Sequence, residues 1–173
     1  KALNAGIALV PEERRSQGVI LSQPIDDNIA IANLGSVSSM GVISRRAIDA
    51  LAKTGLLNLQ IKARGPHQTV GELSGGNQQK VVLAKMLARK PKVLLMDEPT
   101  RGIDVGTKAE IYRLIRELAA TGTTVIAVSS ELPELIGMSD RIIIMHEGRI
   151  SGEVAADGAD DELLLSYCYG KAD

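Results

Sequence analysis

The chain has 173 residues with 20 Lys+Arg against 21 Asp+Glu, and its net charge of −1 offers no general attraction to nucleic-acid phosphates, so no nucleic-acid partner is expected. Its length suits one core, and with 45% hydrophobic residues but no Phe and no Trp that core must be built from Ile, Leu, Val, Met and Ala. The lone Cys168 excludes an internal disulfide and suits a reducing compartment, and no apolar run approaches the roughly 20 residues that cross a bilayer; with no signal-peptide-like opening, this predicts a cytoplasmic chain whose membrane link runs through a partner.

Four short, unbroken apolar runs, Ile7–Val10, Val93–Met96, Val125–Val128 and Ile142–Met145, predict strands buried on both faces in a mostly parallel sheet, an α/β fold. Between the first two, Ser44 predicts the N-cap of a helix through Lys53 that buries Ala47, Ile48 and Leu51 and stops at Gly55. Gln60–Val70 has no sustained period, contains Gly65-Pro66, and reads mostly as loop. A helix follows from about Gly75 to Arg89, with Val82, Leu83, Met86 and Leu87 on its buried face. Beyond the second run, Ile111, Leu114, Ile115, Leu118 and Ala119 recur at helical spacing over Lys108–Ala120. Lys108, Arg113, Arg116 and Glu117 occupy the opposite face, and Gly122 closes the helix. The result is a βαβ unit. Pro133 falls in the first turn of the next helix. Glu147-Gly148 turns the chain back as an antiparallel strand, Arg149–Val154. Asp160, Asp161 and Glu162 open a last helix, where they compensate its dipole.

Two places carry chemistry. Ser74 directly precedes a helix whose first N–H groups are unpaired and carry about half a positive charge. Gly75 and Gly76 lack Cβ atoms, so a phosphate could approach the backbone there, with the Ser74 hydroxyl as a further donor. Asp97 and Glu98 stand at the carboxyl end of a buried strand, where open α/β sheets place their ligands. Taken singly, each has a plainer explanation, an N-cap in one case and a capped turn in the other. No GxxxxGK[ST] phosphate loop occurs in the chain.

Together, Leu73-Ser74-Gly75-Gly76-Asn77-Gln78-Gln79-Lys80, one helix, and Val93–Met96 followed by Asp97-Glu98-Pro99-Thr100 resemble the signature and Walker B of the ABC-transporter ATPases. The resemblance implies a P-loop NTPase (RecA-like) fold with an inserted helical subdomain, represented by about its later two-thirds. Residues 1–24 would be early core with the Q-loop strand, 25–90 the helical subdomain with the signature, and 91–173 core with Walker B, D-loop and switch region. The implied cofactors are ATP and Mg²⁺. Leu73, Ser74, Gly75, Gly76, Asn77 and Gln78 would meet the γ-phosphate of ATP held by an opposite domain, so the element works only in a dimer. Asp97 would hold Mg²⁺ through water, and Glu98 would polarise the attacking water. Asp104, in the D-loop stretch Arg101-Gly102-Ile103-Asp104, would reach across the dimer interface, and it can cap the next helix at the same time.

Two positions depart from the family pattern. Ser130 stands where a histidine usually contacts the γ-phosphate, and Glu12 where a glutamine usually touches Mg²⁺ and the permease. A serine hydroxyl is shorter than an imidazole and carries no charge at neutral pH. Losing one such donor costs about 2.7–4 kcal/mol, so the site built on this Walker B is expected to be slow. These departures, with Asn77-Gln78-Gln79-Lys80, the run Asp97–Gly106 and Ser129-Ser130-Glu131-Leu132-Pro133-Glu134, resemble the second ATPase domain of bacterial importers of the ribose, galactose and xylose type. That resemblance covers about Gly6 to Val154.

It implies a first ATPase domain, fused upstream and paired head to tail, with membrane permease subunits and, indirectly, a periplasmic sugar-binding protein as partners. The place of work would be the cytoplasmic face of the inner membrane. Two other readings stay open: an ABC ATPase serving something other than transport, and a non-catalytic half that lends its signature to a companion. His67 and His146 are far apart in sequence and make a poor metal pair, and Cys168 reads as a packed or surface thiol. Arg14 and Arg15 either bind phosphate, or solvate a loop or pair at an interface.

Overall fold

A computed structural model describes residues 2–170 of the chain. Strand β1 (Ile7–Val10) leads through one wide helical turn over 14–18, closed by Val19 N donating to Arg14 O at 2.9 Å, into helix α1 (Ile25–Ala30). The Asn28 side chain pins the approach: it accepts from Ile20 N at 2.7 Å and donates to the Ile20 and Pro24 carbonyls. A two-stranded hairpin, β2 (Ser38–Ser39) and β3 (Val42–Ile43), turns at Met40 and Gly41, both left-handed, the geometry that matches strand twist. Sequence periodicity gave no sign of so short a hairpin.

Helix α2 (Arg45–Asn58) has the expected cap, Ser44 accepting from Ala47 N, but it runs through Gly55 instead of stopping there. A Cβ on Gly55 would lie 3.1 Å from Ala84 Cβ and 3.3 Å from Ile29 Cδ1, so the glycine serves close helix packing and not termination. The stretch after α2 is largely loop, as expected, up to a short turn over Val70–Glu72. Helix α3 (Gly75–Leu87) then enters the centre of the molecule. Val81, Val82 and Leu83 are fully buried, and Gln78, Gln79, Lys80 and Lys85 are buried with them, so its buried surface is wider than one apolar stripe. The two lysines have partners, Lys80 Nζ meeting Glu110 Oε2 at 2.7 Å and Lys85 Nζ donating to Gly18 O, whereas Gln78 Oε1 is buried without one.

The remaining elements are β4 (Val93–Asp97), α4 (Val105–Ala120), β5 (Thr124–Val128), α5 (Leu132–Met138), β6 (Arg141–His146), β7 (Arg149–Ala155) and α6 (Asp161–Cys168). Strands β1, β4 and β5 form a parallel sheet in that order, with Ala8, Leu94 and Val125 in one row and Val10, Met96 and Ala127 in the next. Helix α3 packs beneath these rows. Its residues share one core with Val10, Ile25 and Ala52 and with Ile111, Leu114 and Ile115 of α4.

Two expectations about the sheet need correction. The run Ile142–Met145 does not join it; β6 pairs antiparallel with β7 alone, through a Glu147-Gly148 turn with both residues left-handed. That hairpin has its own small core, where Ile142, Ile144, Ala156 and Leu164 meet. Nor is the parallel sheet covered on both sides. Its second face leaves Ile7, Leu9, Ile126 and Val128 exposed at 37, 50, 54 and 60%. The apolar runs therefore carry one face more than this chain covers.

Leu83 is fully buried at the centre of the shared core. Leu83→Ala should therefore cost about 2–5 kcal/mol and lower Tm by on the order of 10 °C, measurable by thermal circular dichroism.

Candidate functional site: the amino end of the signature helix and the loops after β4 and β5

Helices α2, α4 and α6 are each capped by a side chain, from Ser44, Asp104 and Asp160. Helix α3 is not: Ser74 occupies its N-cap position with extended backbone and makes no capping bond. Instead Asn77 Nδ2 donates to Ser74 Oγ at 2.9 Å, while Asn77 Oδ1 accepts from Lys62 N at 2.8 Å. Because Ser74 Oγ is used here as an acceptor, its own proton can point away from the helix. The exposed Ser74 hydroxyl and the half-buried Gly75 N–H behind it are thus the donors nearest solvent, while Gly76 is buried.

The neighbouring signature residues turn inward. Gln78 is buried and donates to Leu73 O at 3.1 Å, and Leu73 is itself buried. Both support the helix start from beneath. The two glycines are explained by protein packing before any ligand is considered. A Cβ on Gly75 would come within 2.7 Å of Arg14 Nη2, and one on Gly76 would collide with Thr107 Cγ2. They let the loop after β4 and the first turn of α4 close onto α3.

Glu98 and Ser130 are brought together. Glu98 N donates to Val128 O at 2.9 Å, and Ser130 N donates to Glu98 Oε1 at 2.8 Å, so the contact runs through the Ser130 backbone and not its hydroxyl. Glu98 also has φ +44°, a left-handed backbone that costs a non-glycine residue about 1–2 kcal/mol and that concentrates at functional sites. Asp97, the last residue of β4, is exposed beside it.

The loop between β4 and α4 is held from two sides. Arg14 Nη1 donates to Arg101 O at 2.7 Å and Arg14 Nη2 to Gly102 O at 3.3 Å, while Arg101 pairs with Glu12. The Arg14 guanidinium is thus a strut across the loop. Asp104 caps α4, accepting from Thr107 N at 3.0 Å and from Thr107 Oγ1 at 2.8 Å. The backbone and side-chain bonds from Thr107 hold its carboxyl below the usual carboxylate range. It remains exposed, with Val105 next to it.

On the far side lies a residue to which sequence reasoning gave no role. Glu134 is only 2% exposed, yet its carboxylate receives Ser129 Oγ at 2.8 Å, Tyr112 OH at 2.9 Å, Lys108 Nζ at 3.1 Å, and Thr100 Oγ1. Burial pushes its pKa up, but the bonds from Thr100, Ser129, Tyr112 and Lys108 outweigh burial, and the group stays below its ordinary value. Burial and the Glu134 bond push the Tyr112 hydroxyl up to about 12. Lys108, expected on the solvent face, turns inward to this group and to Glu131, 2.6 Å away. In sequence Glu134 stands as an acid in the first turn of a largely apolar helix and closes the run Ser129–Glu134 that carries the resemblance, with no role of its own.

The fit to a metal is incomplete. Glu12 is engaged by Arg101, and among the described residues no three His, Cys, Asp or Glu side chains are grouped to hold an ion. Mg²⁺ is usually held by one or two carboxylates together with substrate phosphates and water, and Asp97 is the exposed carboxylate placed for that. The fit to a phosphate is better, because the α3 amino end has an unspent hydroxyl and uncapped N–H groups.

Comparison with known proteins agrees with this geometry. The family model described as "ABC transporter" matches residues 1–101. The chain belongs to the ABC transporter family. Among curated relatives of this ABC chain, the ribose import ATP-binding protein RbsA 1 of Streptomyces coelicolor is 48% identical over 99% of the chain. RbsA of Chromobacterium violaceum is 47% identical over the same share. The chain spans 34% of the length of each, about a third. A solved ATP-binding cassette, a dimer in a post-hydrolysis state bound to ADP and Pi, superposes with TM-score 0.70 at 25% identity, covering 87% of this chain and 62% of that one. A putative metal-chelate type ABC transporter, inward-facing, shares the fold with TM-score 0.77 at 16% identity, over 95% of this chain and 64% of its own. The α/β P-loop NTPase architecture of an ABC ATPase is thereby established for the chain.

Gly76→Ala should destabilise the chain through its collision with Thr107. Thr107→Ser, which removes Cγ2 but keeps the Asp104 cap, should restore part of the lost Tm in the double variant. Equal Tm for the single and double variants would remove the packing explanation.

Proposed function

We propose that the chain is part of the second ATPase domain in the ATP-binding subunit of a monosaccharide importer, and that its signature completes an ATP site held by another lobe. One observation carries this: the α3 amino end offers an exposed Ser74 hydroxyl and uncapped N–H groups, while no phosphate loop exists in the chain to hold a nucleotide against them. The ribose-import relatives supply the substrate class, and their greater length leaves room for the phosphate loops and for a first ATPase domain. In this reading Leu73 and Gln78 brace the helix start, Asn77 orients Ser74, and Ser74, Gly75 and Gly76 face the terminal phosphate of ATP. Asp104 meets the opposing lobe.

The division into core residues 1–24, helical subdomain 25–90 and core 91–173 belongs to the same proposal. So do the permease partners, the periplasmic sugar-binding protein and the cytoplasmic face of the membrane as the place of work. No helix among the described residues is long and apolar enough to cross a membrane, which is consistent with docking to a permease. The bare sheet face with Ile7, Leu9, Ile126 and Val128 would be covered by the rest of the domain. Mg²⁺ would come with the nucleotide, with Asp97 as the protein's carboxylate and Glu12 held back by Arg101.

Within the chain's own half-site, Glu98 is placed to accept a proton from water, but Ser130 N already occupies one carboxylate oxygen and Ser130 brings no imidazole. This favours a division of labour in which the companion site does most of the hydrolysis.

Two measurements test the reading. In the full ATPase, replacing the Walker B glutamate of the first domain should nearly abolish hydrolysis, while Glu98→Gln should cost little; equal losses would refute the division of labour. Titration calorimetry on these 173 residues should show no tight ATP binding, because the phosphate-loop nest and its lysine are absent. Micromolar affinity would contradict the proposal.

A further inference from the structure

Glu134 has no direct path to a nucleotide, being buried on α5 behind the loops that follow β4 and β5. Its four partners lie on three different stretches of chain. Thr100 precedes the loop 101–104, Ser129 precedes Ser130 at the end of β5, and Lys108 and Tyr112 lie on the first turns of α4. Each stretch carries a residue of the proposed site. Thr100 is two residues from Glu98, Ser129 adjoins the Ser130 N–H that bonds Glu98, and Asp104 caps the helix that bears Lys108. The same helix supplies Thr107, which lies against Gly76 of the signature. A buried carboxylate with four donors is costly to disturb, since removing it leaves those donors without an acceptor.

We infer that Glu134 is a positioning residue: one carboxylate fixes the loop after β4, the loop after β5 and the amino end of α4 relative to one another, and so sets where Asp104 and the signature stand against the opposing lobe. The inference rests on the ATPase reading above for its catalytic consequence, but not for the clamp itself. Arg14 holds the other flank of loop 101–104 through two backbone carbonyls, so Glu134 is the inner of two anchors. Its loss should loosen the loops without unfolding the sheet, whose rows pack on α3 through other residues.

The test uses the full ATPase polypeptide carrying this segment, comparing the parent with Glu134→Ala, Glu134→Gln and Glu98→Gln. In Glu134→Ala, deuterium uptake should rise in peptides covering 98–104 and 128–131 and stay unchanged in β1 and the core of α3. The kcat for ATP should fall about tenfold with KM within about twofold, a larger loss than Glu98→Gln causes, because the effect reaches the companion site through loop 101–104. Glu134→Gln keeps an acceptor of the same shape and should recover to within about threefold of the parent. Unchanged uptake in both loop peptides would overturn the clamp, and increased uptake with unchanged kcat would overturn its role in positioning. A loss of kcat that merely follows the folded fraction, with no recovery in the Gln variant, would make Glu134 a stability residue and also overturn it. If the parent itself hydrolyses no ATP, the ATPase reading fails, and the exchange measurement alone still decides the clamp.

Discussion

The close approach of α3 to α4 governs the rest of this structure. Gly76 at the start of α3 lets Thr107 come nearer than a Cβ would allow, Gly75 leaves room for Arg14, and the pair of buried Lys80 with half-exposed Glu110 fastens the two helices further along. Lys80 is buried, so its charge is tolerable only because Glu110 answers it, and contact with Lys80 in turn holds the Glu110 carboxyl below its usual range. From that junction the amino end of α3, the loop 101–104 and the first turn of α4 behave as one surface. The signature is therefore an assembly of helix start and neighbouring loop, and the sequence string marks only half of it.

The elements visible in the sequence were those whose signal is local. Helix α4 declares itself through Ile111, Leu114 and Ile115 at helical spacing, the cap at Ser44 through its residue type, and the β6–β7 turn through Glu147-Gly148. What could not be read depended on distant neighbours. Gly55 looks like a stop signal in isolation, but Ala84 and Ile29, far along the chain, make it a packing position inside α2. Lys108 lies on the polar face by periodicity, and only the buried Glu134 turns it inward. The motifs located Ser74, Glu98 and Asp104, but not the bond from Ser130 N or the inward burial of Gln78, because those follow from tertiary geometry that no spacing encodes.

The sheet shows how pattern and environment can part company. The alternate residues of β1 and β5 are apolar on both sides, a composition suited to a strand with helices above and below. Among the described residues one side meets α3 and the other leaves Ile7, Leu9, Ile126 and Val128 exposed. The curated relatives are about three times as long as the chain. The antiparallel β6–β7 unit, with its separate small core, is likewise independent of the parallel sheet.

The left-handed backbone at Glu98 has a consequence for how such a chain can change. Glycine would adopt that φ of +44° without penalty, so the most relaxed occupant of the position is the one that cannot accept a proton. A search for thermostable variants that ignores turnover would therefore drift toward discarding this carboxylate. Against that strain stands the bond that the Glu98 carboxylate accepts from Ser130 N at 2.8 Å, which glycine would lose.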